Sequence, residues 1–185
     1  GGTPTALEAP ELDILITALF KELDLNKIKE FTVEAGRPES ITREKLEVLK
    51  KHNVSRISIN PQTMNDETLK KIGRDHTVND IIECFNMARE IGFDNINTYL
   101  IAGLPSDNFE SFKNTLTEVI NLDPESITVH TLTLKRASSL FKEADLVSDE
   151  DIAKMVSYSV EKLIGKGYNP YYLYRQKNTL SNLEN

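Results

Sequence analysis

The chain has 185 residues, 39% hydrophobic and 28% charged, enough for one domain with a buried core. Its 29 acidic residues outnumber 22 basic ones for a net charge of -7, a poor balance for gripping a phosphate backbone, so nucleic acid is not an expected partner. No run approaches the roughly 18 apolar residues of a membrane span, and the opening GGTPTALEAP lacks a signal-peptide pattern, so the expected location is cytoplasmic.

Short β-rich runs alternate with longer amphipathic ones. Pro10 is suited to the first turn of a helix over 11–23. EFTVEA (30–35) reads as a strand, rich in β-branched and aromatic residues. Thr42 then precedes REKLEVLKKH, in which Leu46 and Leu49 share one face and Lys50, Lys51 and His52 favour the negative end of the helix dipole. SRISIN (55–60) is the second strand, and Gly73 falls where a helix C-cap is wanted. Thr77 and Asp80 have capping-box spacing before a helix over 78–91 that Gly92 would close. NINTYLIA (95–102) is the third strand, and Asp107 with Glu110 has capping-box spacing before a helix over 108–120. SITVHTLTL (126–134) is the fourth strand, Ser148 with Asp151 opens a helix over 149–164 with Gly165 at its C-cap, and YYLYRQKN (171–178) reads as one further strand with its loop.

Strand and helix recurring in this way are the mark of βαβ units and a parallel sheet, so the fold class is α/β. Periodicity alone leaves a closed or partial barrel and an open doubly wound sheet both standing. No Gly/Ser linker or repeat divides the chain, which reads as a single domain over 1–185: clear βα repeats over 1–140, then a last helix and a terminal strand or loop segment over 141–185.

The lone cysteine, Cys84, excludes an internal disulfide and cannot by itself hold zinc or an iron-sulfur cluster; its helical apolar neighbours predict a small buried residue. His52, His76 and His130 show no metal-ligand spacing, and no P-loop, GxGxxG, GxSxG or HExxH pattern occurs. In parallel α/β folds chemistry gathers at the carboxyl ends of strands. Those ends carry Glu34; Asn60, Pro61 and Gln62; Gly103, Leu104 and Pro105; and His130, Thr131 and Thr133, with Tyr172, Tyr174, Arg175 and Gln176 in the later segment. Such polar and mostly neutral groups suit a polar organic ligand better than a metal ion. Glu34 can accept from ligand hydroxyls or an ammonium group, Arg74 can clamp a carboxylate, and the opening GGTPT can expose backbone amides and carbonyls in a tight turn. Read as structure alone, Glu34 is a solvated carboxylate and Arg74 a surface cation.

Taken in order, GGTPT (1–5), EFTVEAG (30–36), RISINPQTM (56–64), LKKIGRDHT (69–77), LIAGLP (100–105) and SITVHTLTLKRAS (126–138) resemble the radical S-adenosylmethionine group that includes oxygen-independent coproporphyrinogen III oxidase and related heme chaperones. The resemblance implies a partial (β/α)6 barrel like a truncated TIM barrel, with S-adenosylmethionine and a [4Fe-4S] cluster as cofactors. It places the three cluster cysteines, spaced CxxxCxxC, upstream of GGTPT, so this stretch alone is expected to be inactive. It assigns Gly1, Gly2 and Thr3 to the methionyl amino group, Glu34 and Gln62 to the bound cofactor, Arg74 to the methionyl carboxylate, and the loop around Leu132 and Thr133 to adenine. Tyr99 stands where an aspartate thought to contact the cofactor is expected. The implied reaction uses a 5′-deoxyadenosyl radical to turn two propionates of coproporphyrinogen III into vinyl groups in heme biosynthesis. The implied partners are a porphyrinogen substrate, with Arg136, Arg175 and Lys177 as candidates for its carboxylates, and an electron donor. A heme chaperone on the same scaffold, or an unrelated α/β enzyme, are the competing readings. Lacking its first strand, such a barrel would leave an open sheet edge through which dimerisation is expected.

Overall fold

The structure, a computed structural model, describes residues 2–23, 28–132 and 147–171. A 3-10 turn at Pro4–Ala6 leads into α1 (Ala9–Glu22). Glu8 accepts from the third helical amide of α1 while the Glu11 carboxylate accepts from the Glu8 amide at 2.9 Å, a reciprocal cap the sequence reading missed. There follow β1 (Thr32–Gly36), a 3-10 turn at Pro38–Ser40, α2 (Arg43–Lys51), β2 (Arg56–Gln62), a short α3 (Asp66–Lys71), α4 (Val78–Ile91), β3 (Ile96–Ala102), α5 (Phe109–Asn121), β4 (Ser126–Thr131) and α6 (Asp149–Gly165). The four strands form one parallel sheet in the order β1-β2-β3-β4, as alternating strands and right-handed crossovers require. The α/β class expected from the sequence is therefore the observed one. β1 ends the sheet on one side. No helix among the described residues is long and apolar enough to cross a membrane.

Two units can be distinguished. The first takes Gly1–Pro61, Val78–Thr98 and Pro124–Ser126. Here Val33 and Ala35 of β1, Ile57 and Ile59 of β2 and Ile96 of β3 are buried with Leu46 and Leu49 of α2 and Ile81, Phe85 and Ala88 of α4. Thr42 caps α2 through its side chain on the Lys45 amide, as expected. Lys50 places its ammonium 5.1 Å from the Phe93 ring centroid and donates to the Gly92 carbonyl at 2.6 Å, covering the C-terminal end of α4. Cys84 is buried, as expected, and its thiol donates weakly to the Pro38 carbonyl at 3.5 Å.

The second unit takes Gln62–Thr77, Tyr99–Asp123 and the described part of the chain from Ile127 onward. Ala102, Phe112 and Met155 form its central cluster, with Phe109, Val129 and Val156 packed against them. The Thr115 hydroxyl lies 3.1 Å from that of Thr63 and accepts from the Met64 amide at 3.1 Å, tying α5 to the chain after β2. Gly103 has φ +86°, and a Cβ there would lie 2.8 Å from Ile152 Cδ1, so glycine is required both by conformation and by the approach of α6. Ser148 caps α6 by accepting from the Asp151 amide, as its spacing predicted.

Three local expectations are corrected. The N-cap of α5 is Asn108, which accepts from the Ser111 amide at 3.0 Å; Asp107 lies one residue outside, 8% exposed. Gly165 is the last residue of α6, and Gly167, at φ +90°, takes the left-handed position beyond it. Glu34 is not the end of β1, which continues to Gly36.

Asp107 carries a cost that can be measured. Its Oδ1 accepts from the Asn108 amide, but its buried Oδ2 has no hydrogen-bond partner among the described residues, and burial raises its pKa above the ordinary carboxylate value. A raised folded-state pKa means that the favourable neutral form is lost as pH rises through it. Asp107→Asn keeps the acceptor on Asn108 and removes the charge, so its urea midpoint is expected above that of the parent at pH 7, with the difference closing at pH 3.

Candidate functional site

Strands of period two separate their side chains cleanly. In the first unit Ile57 and Ile59 point one way, fully buried, while Ser58 and Asn60 alternate with them on the opposite face beside Glu34 of β1. Ser58 Oγ donates to Glu34 Oε1 at 3.1 Å and Asn60 Nδ2 donates to Glu34 Oε2 at 3.4 Å. Both oxygens of an exposed carboxylate are thus held by neighbouring side chains on β2.

The opening turn docks against the same strand. Gly2 has φ +112°, a value that favours glycine, and turns the chain into Thr3. Thr3 Cγ2 lies 3.3 Å from where a Cβ would stand on Gly36, itself at φ +69°, so both glycines serve the close approach of turn and strand. Thr5 donates to the Ala35 carbonyl at 2.6 Å, and its hydroxyl lies 2.7 Å from that of Ser40. Lys45, 6% exposed, reaches from α2 to donate to the Thr5 carbonyl at 2.9 Å and the Ser40 carbonyl at 3.4 Å. A buried ammonium is stable only when its donors are met, and here they fasten the turn. The structure therefore docks the turn at Thr3 and Thr5 on β1, the strand that carries Glu34.

The other predicted residues belong to the second unit. Gln62 closes β2 with φ +72°, a left-handed conformation that costs a non-glycine residue about 1 kcal/mol. Arg74 follows α3: Gly73, at φ +71°, donates to the Lys70 carbonyl and the Arg74 amide to that of Leu69 at 3.0 Å, leading the half-buried Arg74 away from the helix end. Tyr99 stacks on His130 with ring centroids 5.2 Å apart and planes 16° from parallel. Burial holds the His130 pKa below the usual imidazole value, so this stack is neutral at pH 7. Gly1 and Thr133 lie outside the described residues, as do Arg136, Tyr172, Tyr174, Arg175, Gln176 and Lys177.

Taken separately, Glu34 is chemically suited to an ammonium and Arg74 to a carboxylate. The described residues do not fit an iron-sulfur cluster. Burial, aided by the carboxylates of Asp80, Glu83 and Glu39, pushes the Cys84 thiol up to about 12, far from a ligating thiolate. No group of three His, Cys, Asp or Glu residues among those described could hold a metal ion. Sequence reasoning missed Lys45 and Asn97, the latter a fully buried polar residue whose amide donates to Ser58 at 3.4 Å. The usable signal was a polar residue amid the β-branched residues of a strand, Ser58 between Ile57 and Ile59 and Asn97 between Ile96 and Thr98; a lysine buried from a helix leaves none.

The Radical SAM superfamily pattern matches residues 1–119. The chain belongs to the radical S-adenosylmethionine superfamily. Within it, the chain is 48% identical over 189 residues to "Oxygen-independent coproporphyrinogen-III oxidase-like protein HemZ" of Bacillus subtilis, an alignment taking in 100% of this chain and 38% of that protein. It is 35% identical to "Heme chaperone HemW" of Lactococcus lactis, covering 92% of this chain and 46% of that one. The solved structure of coproporphyrinogen III oxidase (HemN) from Escherichia coli superposes with a TM-score of 0.82 at 29% identity, over 91% of this chain and 40% of that one. The chain thus spans less than half the length of these radical SAM relatives. The partial barrel expected from the resemblance agrees with this superposition.

The buried lysine offers a direct check on how the turn is held. Lys45→Met removes the donors to Thr5 and Ser40 while filling similar space, and is expected to cost roughly 1–3 kcal/mol. A lower urea midpoint, together with faster hydrogen exchange at the amides of residues 5–7, is the expected outcome.

Proposed function

We propose that this chain is the S-adenosylmethionine-binding part of an oxygen-independent coproporphyrinogen III oxidase, a radical SAM oxidoreductase of heme biosynthesis. In this reading the complete polypeptide oxidatively decarboxylates two propionates of coproporphyrinogen III to vinyl groups. The relatives named coproporphyrinogen III oxidase or oxidase-like support the reaction class. The observation that carries the reading is the Glu34 carboxylate, held on both oxygens from β2, on the strand against which the turn at Thr3 and Thr5 docks.

Glu34 would receive the ammonium of the methionyl group, with backbone carbonyls of the turn at Gly2 and Thr3 sharing its protons. Arg74 would meet the methionyl carboxylate, which a planar guanidinium matches in two parallel hydrogen bonds. Gln62, in its strained conformation, and Tyr99 would complete the contacts, with Thr133 on the adenine side. When bound, S-adenosylmethionine and a [4Fe-4S] cluster supply one-electron hydrogen abstraction. The cluster would be held by residues other than these, with electrons from a separate donor. This chain's contribution is to fix the orientation of the sulfonium nucleoside against a porphyrinogen, since a misplacement of about 1 Å can cost a hundredfold in rate.

A heme chaperone on the same scaffold is the second reading, favoured by the relatives of that name and by a neutral Tyr99–His130 stack where the resemblance leads one to expect a carboxylate. Anaerobic incubation of the complete polypeptide with coproporphyrinogen III, S-adenosylmethionine and a reductant separates the two. The oxidase gives vinyl product, and Glu34→Gln weakens S-adenosylmethionine binding by roughly tenfold. Tight heme binding without vinyl product would establish the chaperone instead.

A further inference from the structure

In the first unit three side chains on successive strands form a hydrogen-bond chain with a single direction. Asn97 on β3 donates from Nδ2 to Ser58 Oγ at 3.4 Å, and Ser58 on β2 donates to Glu34 Oε1 on β1 at 3.1 Å. An amide nitrogen can only donate, so it occupies a lone pair of the serine and leaves the serine's one proton for the carboxylate. Asn97 and Ser58 are each 1% exposed and flanked along their strands by Ile96, Ile57 and Ile59, all at 0%. Apolar residues would pack there without any polar group to satisfy. Asn97 moreover keeps a buried Oδ1 with no hydrogen-bond partner among the described residues. An unmet buried acceptor destabilises the fold, so packing alone does not account for an amide at this position.

We infer that Ser58 and Asn97 are positioning residues for Glu34: Asn97 orients the Ser58 hydroxyl, and that hydroxyl fixes the rotation of the carboxylate facing the ammonium of the ligand. The inference rests on the reading of Glu34 given under the proposed function and deepens it, because neither residue need touch the ligand. Asn60 holds the second oxygen from the more exposed side, so the carboxylate is fixed between a buried donor and a partly exposed one. A carboxylate on an exposed strand position otherwise rotates freely, and each rotamer lost on binding weakens affinity.

The test is a double-mutant cycle on S-adenosylmethionine affinity, measured by equilibrium dialysis with the complete polypeptide carrying its cluster. Ser58→Ala is expected to raise Kd about tenfold, and Asn97→Ala, acting through the serine, about threefold. In a Glu34→Gln background each should change Kd by less than about twofold, because the carboxylate they position is gone. Ser58→Thr retains the hydroxyl and is expected to stay within about twofold of the parent. Equal losses in both backgrounds would show a scaffolding role and overturn the inference, as would an unchanged Kd in Ser58→Ala when Glu34→Gln has weakened binding. If Glu34→Gln itself leaves Kd unchanged, the ammonium reading of Glu34 fails and the positioning role falls with it.

Discussion

Glu34 meets Ser58 and Asn60 only because Thr32 lies opposite Arg56 and Val33 opposite Ile57. A slip of one residue would exchange the faces of β1, sending Glu34 among the helices and Val33 and Ala35 to the open side. The burial of Val33 and Ala35 opposes it, since an apolar side chain such as Val33 left in water forfeits roughly 1.5–3 kcal/mol. Packing on one face therefore determines the chemistry of the other. The pairing is not uniform: from Val33 to Gly36 the chain takes three steps on β1 while β2 takes two, from Ile57 to Ile59. Such an irregularity re-aims side chains, and Glu34 sits inside it.

The opening turn depends on the same strand. Thr5 takes the Ala35 carbonyl, and Gly36 leaves room for Thr3, so the turn is seated by groups that flank the bulge. Lys45 then links turn and helix through two carbonyls, a role that needs an ammonium's several donors and a long stem, which a shorter residue would lack. Under the proposed function the backbone groups of the turn must stay aimed when the ligand is absent. Here the aim comes from buried hydrogen bonds on the far side of the turn.

Much of this was legible in the sequence, and the reasons for the rest are specific. All four strands stood out because β-branched residues cluster where the sheet is covered, and Ser148 and Thr42 marked helix starts because capping leaves a short-range signature. The start of α5 was misplaced by one residue because Asp107 and Asn108 are both competent caps, and only burial of Asp107 decides between them. The six-residue α3 was not named as an element because it is too short for periodicity to show, although Asn65 caps it on the Glu67 and Thr68 amides. Glu34 was readable as a polar strand residue, but not its place within an irregularity, which depends on pairing with residues more than twenty positions away. Lys45 was invisible because a lysine in a helix is normally solvated, and nothing local distinguishes one that is not.

The neutral pair in the second unit bears on what this radical SAM chain can recognise. A carboxylate at position 99 would add fixed negative charge and an acceptor; Tyr99 offers a hydroxyl and a ring face, and His130 beside it is held neutral by burial. Exchange of a charged contact for an aromatic one trades long-range attraction to a cation for dispersion and short-range quadrupole contact. Under the proposed function, the carboxylate that would meet the ammonium of the ligand is Glu34. In that reading the rotation of Glu34, and so the buried Ser58 and Asn97 behind it, bears directly on affinity.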